Sequence, residues 1–206
     1  MNSFDCSAEY ILENEIALLR PLQADDARHL LRFSLHEPDI WQFSIAQPTG
    51  ENELNKYIDN ALGSRKTGEE YPFIVFDKRA GIYAGSSRFY DIQRKHNTVQ
   101  LGYTWYGKEF QGTGLNRNCK FLLLEFAFDV CGFDRLEFQA DKNNARSIAA
   151  MKSIGCSEEG VLRSHLLKPD GSRRDSIVLS ILRDEWQNRI KEELTTTLKK
   201  QNLNRT

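Results

Sequence analysis

The sequence predicts a mixed α/β fold: a mostly antiparallel, twisted sheet of about seven strands with helices on both faces. Two features point to it. Short apolar or alternating runs recur at strand length, and amphipathic stretches of helical period separate them in the order β-α-α-β-β-β-α-β-α-β-β. The chain has 206 residues and forms one domain over 15–187, with a lead-in at 1–14 and a polar C-terminal helix or tail at 188–206.

The first predicted strand is Ile16 to Leu19, closed at Arg20-Pro21 because proline cannot donate to a ladder. Asp25 or Asp26 then caps a helix whose apolar side is Leu30, Leu31, Phe33 and Leu35, ending before Pro38. A second helix spans Glu51 to Ser64, with Leu54, Tyr57, Ile58, Ala61 and Leu62 at helical spacing. Phe73-Ile74-Val75-Phe76 is a continuous apolar run, the mark of a strand covered on both faces. Tyr83 to Tyr90 follows, and then Val99, Leu101, Tyr103 and Trp105 alternate with Gln100, Gly102, Thr104 and Tyr106 at a period of two. Turn residues at Gly81 and from Asp91 to Asn97 make these three strands an antiparallel meander.

A long helix then runs to about Val130, with Cys119, Leu122, Leu123 and Phe126 inward. Leu136, Phe138 and Ala140 mark the next strand. Asn143-Asn144 opens a helix that ends at Gly155, read as its C′ glycine. Pro169-Asp170-Gly171 turns a hairpin between Val161–Leu167 and Ser176–Leu182. The central strand–helix–strand is a crossover, predicted to be right-handed.

Bulk properties exclude several classes. A net charge of -1 gives no basic excess for dedicated nucleic-acid binding. No apolar run is long enough to span a membrane, and the N-terminus lacks the pattern of a secretory signal, so a cytoplasmic location is expected. Cys6, Cys119, Cys131 and Cys156 are irregularly spaced, which fits reduced thiols. His29, His36, His96 and His165 are equally scattered, so no metal site is expected. An exposed edge strand is compatible with a homodimer.

The chemistry concentrates at Gln111-Gly112-Thr113-Gly114-Leu115-Asn116, between a strand and a helix. Glycines let successive backbone N–H groups converge, and the first amides of a helix lack internal partners, so a pyrophosphate fits there; a plain tight turn is the alternative reading. The segment lacks the third glycine of a dinucleotide fingerprint and the Gly-Lys-Ser/Thr of a phosphate-binding P-loop. At the next helix start, Asn144-Ala145-Arg146-Ser147 reads either as simple capping or as ligand contacts across the gap between strands.

Together, Gln111-x-x-Gly114-x-Asn116 and Asn144-x-x-Ser147 resemble the GNAT superfamily of acyl-CoA-dependent N-acetyltransferases. The Leu18-Arg20-Pro21 start and Gly102-Tyr103-Thr104-Trp105 resemble its branch of ribosomal-protein (alanine/serine) N-terminal acetyltransferases. The resemblance implies a splayed central wedge that receives pantetheine, with acetyl-CoA as the co-substrate and a primary amine, on a protein N-terminus or a small molecule, as acceptor. Backbone groups of Trp105 and Tyr106 would face pantetheine. Amides of Gln111, Gly112, Thr113, Gly114, Leu115 and Asn116 would hold the pyrophosphate. Asn144 would touch the pantetheine arm. Catalytic candidates are the Tyr106 amide for the oxyanion, Ser147 for the thiolate, and Glu159, Glu158 or His165 for the base. Gln100 stands where relatives often carry Glu, and Gln accepts no proton at neutral pH. No tyrosine follows Tyr106, which excludes a tyrosine acid after the Asn144 helix. Trp41, Phe43, Tyr83, Phe89 and Tyr90 are candidates for the acceptor cleft, and Arg163, Arg173 and Arg174 for attracting an acidic acceptor; core packing and a solvated hairpin rim are the alternatives. A non-catalytic acyl-CoA-binding module is the competing functional reading, and a purely structural domain is a third.

Overall fold

Eight strands form one sheet, in the spatial order β1-β2-β3-β4-β5-β6-β8-β7. The computed structural model describes residues 4–203, with side chains as far as Gln201. In chain order the elements are β1 (Leu12–Glu13), β2 (Ala17–Pro21), α1 (Ala27–His36), α2 (Glu51–Lys66), β3 (Tyr71–Asp77), β4 (Ile82–Gln93) and β5 (Thr98–Tyr106). After these come α3 (Leu115–Glu125), β6 (Arg135–Asp141), α4 (Ala145–Lys152), β7 (Ser157–Leu167) and β8 (Arg173–Leu182). The described chain closes with α5 (Arg183–Glu185), a π turn (Trp186–Ile190) and α6 (Lys191–Leu203). All neighbouring strands are antiparallel except β5 and β6, which run parallel. The mixed, mostly antiparallel sheet expected from the sequence is therefore present.

The lead-in is more than an approach segment. Leu12 and Glu13 pair with Leu19 and Leu18 of β2. Phe4 is buried among the rings of Tyr10, Tyr71, Phe89, Phe126 and Phe133. Pro21 stays inside β2 as its last residue, opposite Phe73. Asp26 does not cap α1 with its side chain. Its carboxylate accepts two hydrogen bonds from Arg20, at 2.8 and 2.5 Å, and one from the Gln23 amide. That burial is tolerated because charge and hydrogen bonds are both satisfied. Leu35, expected on the apolar side of α1, is 52% exposed, whereas Leu30 and Phe33 are buried.

β3 is buried on both faces, as its apolar run requires. The period of two along β5 breaks at Tyr103, which is exposed and has φ 49°. The ladder skips a residue here, passing from Arg88↔Gly102 to Ser86↔Trp105. The bulge turns the end of β5, so that Trp105 and Tyr106 are both buried. Gly155 has φ +95° but lies three residues beyond Lys152, the last residue of α4, and so is not the C′ residue. The polar C-terminal segment is helical through Leu203 and buries Leu194 and Leu198. All four cysteines are free and buried. Among the described residues no helix is long and apolar enough to cross a membrane.

Gly85 permits the close approach of β4 to β5. A Cβ there would lie 2.0 Å from the Trp105 carbonyl oxygen. Gly85→Ala is expected to lose stability at or beyond the top of the ~1–3 kcal/mol typical of overpacking, read as a lower denaturant midpoint.

Candidate active site

The site begins where the sheet comes apart. β5 and β6 pair only at Thr98↔Arg135, Val99↔Leu136 and Gln100↔Glu137. Beyond these three steps the strands separate, and the facing edges of β5 and β6 form a wedge. Gly107 N–H donates to Ala84 O on β4, and backbone polar groups alternate direction along a strand. The Trp105 groups therefore face β4, while the Tyr106 N–H and C=O face the wedge. Of the two residues expected to offer backbone to a ligand, only Tyr106 is oriented to do so. The Trp105 indole packs edge-on against Trp41, with ring centroids 4.9 Å apart, inside the core.

The loop after β5 closes the wide end of the wedge. Gly112 and Gly114 have φ of 76° and 88°, and Gly114 precedes α3 in the left-handed region. Such values favour glycine strongly. Thr113 Oγ1 donates to Phe110 O at 2.8 Å and receives a long contact from the Leu115 amide at 3.4 Å. Among the described residues, nothing accepts a hydrogen bond from the amides of Thr113, Gly114, Asn116 or Arg117. The buried Asn116 Oδ1 is also unpartnered. Four open donors at a helix N-terminus make an anion cradle. Arginines stand nearby: Arg79 Nη1 donates to Thr113 O at 3.3 Å while its Nη2 pairs with Asp77, Arg117 in the first turn of α3 reaches Ser153 Oγ, and Arg146 reaches in from α4.

Gln111 joins the two sides of the wedge. Its Nε2 donates to Tyr106 O at 3.0 Å, and its Oε1 accepts from Arg146 Nη1. This brings the first turn of α4, with Ser147, up to the loop. Asn144 caps α4: its Oδ1 accepts from the Ser147 amide at 3.1 Å, which leaves its Nδ2 donors and one Oδ1 lone pair for another partner. Both readings of Asn144 therefore share one side chain.

The candidate bases lie elsewhere. Glu159 is ion-paired with Arg135 and accepts a hydrogen bond from Ser180. These contacts, led by Arg135, hold its carboxyl below the usual glutamate range, making it a weaker base. Glu158 pairs with Lys152 at 2.7 Å. His165 is on the outermost strand, separated from the wedge edge of β6 by β8, and its Nδ1 is 3.0 Å from Ser176 Oγ. Gln100 Nε2 donates to Asp91 at 2.9 Å. Of the aromatic candidates, Trp41 and Phe89 are core, and Tyr83 packs against Arg20, His29 and Phe76. Tyr90 packs over Gly102 and against Tyr103. Arg174 is buried beneath the hairpin rather than on its rim, whereas Arg173 is exposed and bonds Ser164.

A cavity of about 430 Å³ opens on the bulge instead, lined by Tyr57, Glu70, Arg88 and Tyr103 together with the segment from Ile45 to Pro48. Arg88 is sandwiched between the rings of Tyr57 and Tyr103 and paired with Glu70 at 2.6 Å. Sequence reading missed this cavity, since Tyr57 passes for a helix core position and Tyr103 for a strand one. It also missed Arg79 and Lys120. Among the described residues no group of three or more His, Cys, Asp or Glu could hold a metal.

Between the parted parallel strands lies a gap with open amide donors at its mouth, and proteins of known family share the architecture. The sequence pattern of the acetyltransferase (GNAT) domain matches residues 17–157, and the chain belongs to this family. It is 29% identical over 181 residues to the candidate ribosomal N-acetyltransferase YdaF of Bacillus subtilis, covering 84% of this chain and 92% of the relative. A GCN5-related N-acetyltransferase from Brucella melitensis superposes with a TM-score of 0.84 at 25% identity, covering 92% of this chain and 85% of that one. An acetyltransferase from T. thermophilus gives 0.82 at 29% identity, with 91% and 96% covered. The fold is also that of the microcin C7 self-immunity acetyltransferase MccE, solved with acetyl-CoA and AMP, at a TM-score of 0.74 and 19% identity over 82% of this chain and 93% of MccE.

If Asn144 serves mainly as a cap, Asn144→Ala is expected to cost about 1 kcal/mol of stability, and Asn144→Asp to retain most of it. Thermal or denaturant unfolding of the two variants measures this.

Proposed function

We propose that this protein transfers the acetyl group of acetyl-CoA to a primary amine by direct attack within a ternary complex. The observation that carries the reading is the wedge: the Tyr106 amide points into it, and the open amides of Thr113, Gly114 and Asn116 stand at its mouth. A diphosphate fits four unclaimed donors with Arg79 and Arg146 at the same loop, because the helix terminus and the guanidinium groups both favour negative charge. MccE, a fold relative, holds acetyl-CoA, which supports the assignment of the ligand.

The residues then divide the work. The open amides of Thr113, Gly114, Asn116 and Arg117 bind the pyrophosphate, while the Gln111 N–H is already taken by Lys108 O. The Tyr106 N–H serves the pantetheine arm or the carbonyl oxygen, where a fixed donor stabilises the charge that develops on attack. Asn144 offers its Nδ2 to the arm while capping α4. Ser147, whose hydroxyl has no hydrogen-bond partner among the described residues, donates to the departing sulfur. The acceptor amine reaches the wedge through the cavity beside Tyr103. Its proton leaves through water, since Gln100 cannot take it and Glu159 and His165 are held by their own partners away from the wedge. The name of the relative YdaF favours an acceptor on a ribosomal protein; a protein N-terminus and a small amine remain the two acceptor classes to screen.

Two measurements test this. Gly114→Trp should abolish acetyl-CoA binding in calorimetry while the protein still folds; retained affinity would remove the loop from the site. Ser147→Ala should slow CoA release, in a panel of amines and peptides, more than it weakens acetyl-CoA binding. Tight acetyl-CoA binding with no CoA release for any acceptor would favour the alternative of a non-catalytic acyl-CoA-binding module.

A further inference from the structure

Lys120 is the one buried lysine among the described residues, and no carboxylate there pairs with it. It lies in α3, six residues past Gly114, on the side that meets the sheet. Its Nζ donates to Thr104 Oγ1 of β5 at 2.9 Å and lies 5.1 Å from the centre of the Phe138 ring of β6. Thr104 is four residues past Gln100, and Phe138 is one past Glu137, so both lie beyond the last rung of the β5–β6 ladder. Lys120 thus bridges the two strands where they have separated, and its ammonium forms part of the wedge floor.

No carboxylate comes within ion-pair distance of it among the described residues. The ionisable groups nearby are Cys119 on its own helix, Cys156 after α4, and Tyr106 on β5, which faces Cys119; Asp77 acts on Cys119. Burial pushes both thiols up to about 12 and the Tyr106 phenol well above its usual value, so none is an anion at neutral pH. One hydrogen bond satisfies one of three ammonium donors. A buried, unpaired cation costs stability, which proteins tolerate mainly where the charge has work to do. Desolvation also pushes the Lys120 ammonium down to about 8, close to neutral pH, where a group can both hold and release a proton.

We propose that Lys120 is the catalytic acid that protonates the thiolate leaving from acetyl-CoA. The inference rests on the acetyl-transfer reading above. The acceptor nitrogen forms the C–N bond, and the tetrahedral intermediate collapses with the C–S electron pair passing to sulfur. One proton moves from Lys120 Nζ to that sulfur, giving the free thiol of CoA. The surplus proton on the new amide nitrogen leaves to water, and the neutral lysine recovers a proton from solvent before the next cycle. Ser147 has too high a pKa to supply this proton, and its part is confined to hydrogen bonding.

The test compares wild type with Lys120→Met, which keeps the length and apolar stem of the side chain. With free CoA as probe, the ultraviolet absorbance of the thiolate reports the thiol pKa in the bound state. A nearby ammonium should lower it in wild type relative to the variant by about one pH unit or more. In turnover, kcat of the variant should fall on the order of 10²-fold with little change in KM for acetyl-CoA, and the wild-type loss of kcat above pH about 8 should be absent. Removing the buried charge should leave the Tm at pH 7 equal or higher. Wild-type stability should rise from pH about 8 toward the ordinary lysine range, because there the unfolded state binds the extra proton. Identical thiol titration in the two proteins, or an unchanged kcat, overturns the proposal. If the variant does not fold, a wild-type kcat with no loss above pH 8, or a bound CoA thiol titrating as it does free in solution, overturns it equally. Absence of acetyl-CoA binding in wild type would defeat the acetyl-transfer reading itself.

Discussion

Everything at the site follows from two parallel strands that stop bonding to each other after three residues. In most sheets an interior strand that lost its neighbour would leave its N–H and C=O groups unsatisfied, a cost comparable to losing the hydrogen bonds outright. Here the loss is confined to the stretch from Leu101 to Tyr106 on one side and Phe138 to Asp141 on the other. Each strand keeps its outer partner, β4 for β5 and β8 for β6, so the fold remains intact while one set of backbone groups faces an open wedge. An extended ligand with amide groups can complete that ladder.

Several features hold the strands apart. The bulge at Tyr103 redirects β5 while β4 still follows it through Ser86 and Gly85. Phe33 lies so close to Gly107 that a Cβ there would meet its ring at 2.1 Å, which fixes where β5 ends and the loop begins. Lys120 spans Thr104 and Phe138 from below. Gln111 and Arg146 fasten the mouth from above. The result is a preorganised gap rather than one that a ligand must force open, and preorganised donors act without reorganisation when charge develops.

Much of the architecture was legible in the residues because each strand and helix carries a clear period. Phe73 to Val75 of the run read as doubly buried are, with Phe76 partly exposed at its end; Leu136, Phe138 and Ala140 read as one buried face and are. The turn from Gln111 to Asn116 was visible as a strand–helix junction, and its two readings, a tight turn and an anion cradle, both call for glycine at the left-handed positions of Gly112 and Gly114. The misreadings have physical causes. Tyr103 kept the alternating pattern in sequence but sits on a bulge, and a bulge shifts the phase without leaving a signature when the residue is not glycine. Asp26 stood where a cap would stand, but Arg20, six residues earlier, competed for its carboxylate and won through charge. Phe4 and Leu194 depend on tertiary packing that local pattern does not encode. Lys120 carries no signal of its own in the sequence, and only the geometry of the opened sheet reveals it as buried. Arg79 and Arg88 reach the site from a turn and a strand far from the motif in sequence, so no spacing rule could gather them.

The proposed place for CoA is the wedge between β5 and β6, with its phosphates on the start of α3. Backbone amide resonances followed by NMR as CoA is added decide this residue by residue. The account requires the largest shifts at Tyr106, Thr113, Gly114 and Asn116, with Ser147 following and the outer strand β7 unmoved. Saturable binding that left those amides unchanged and shifted a different surface would contradict it.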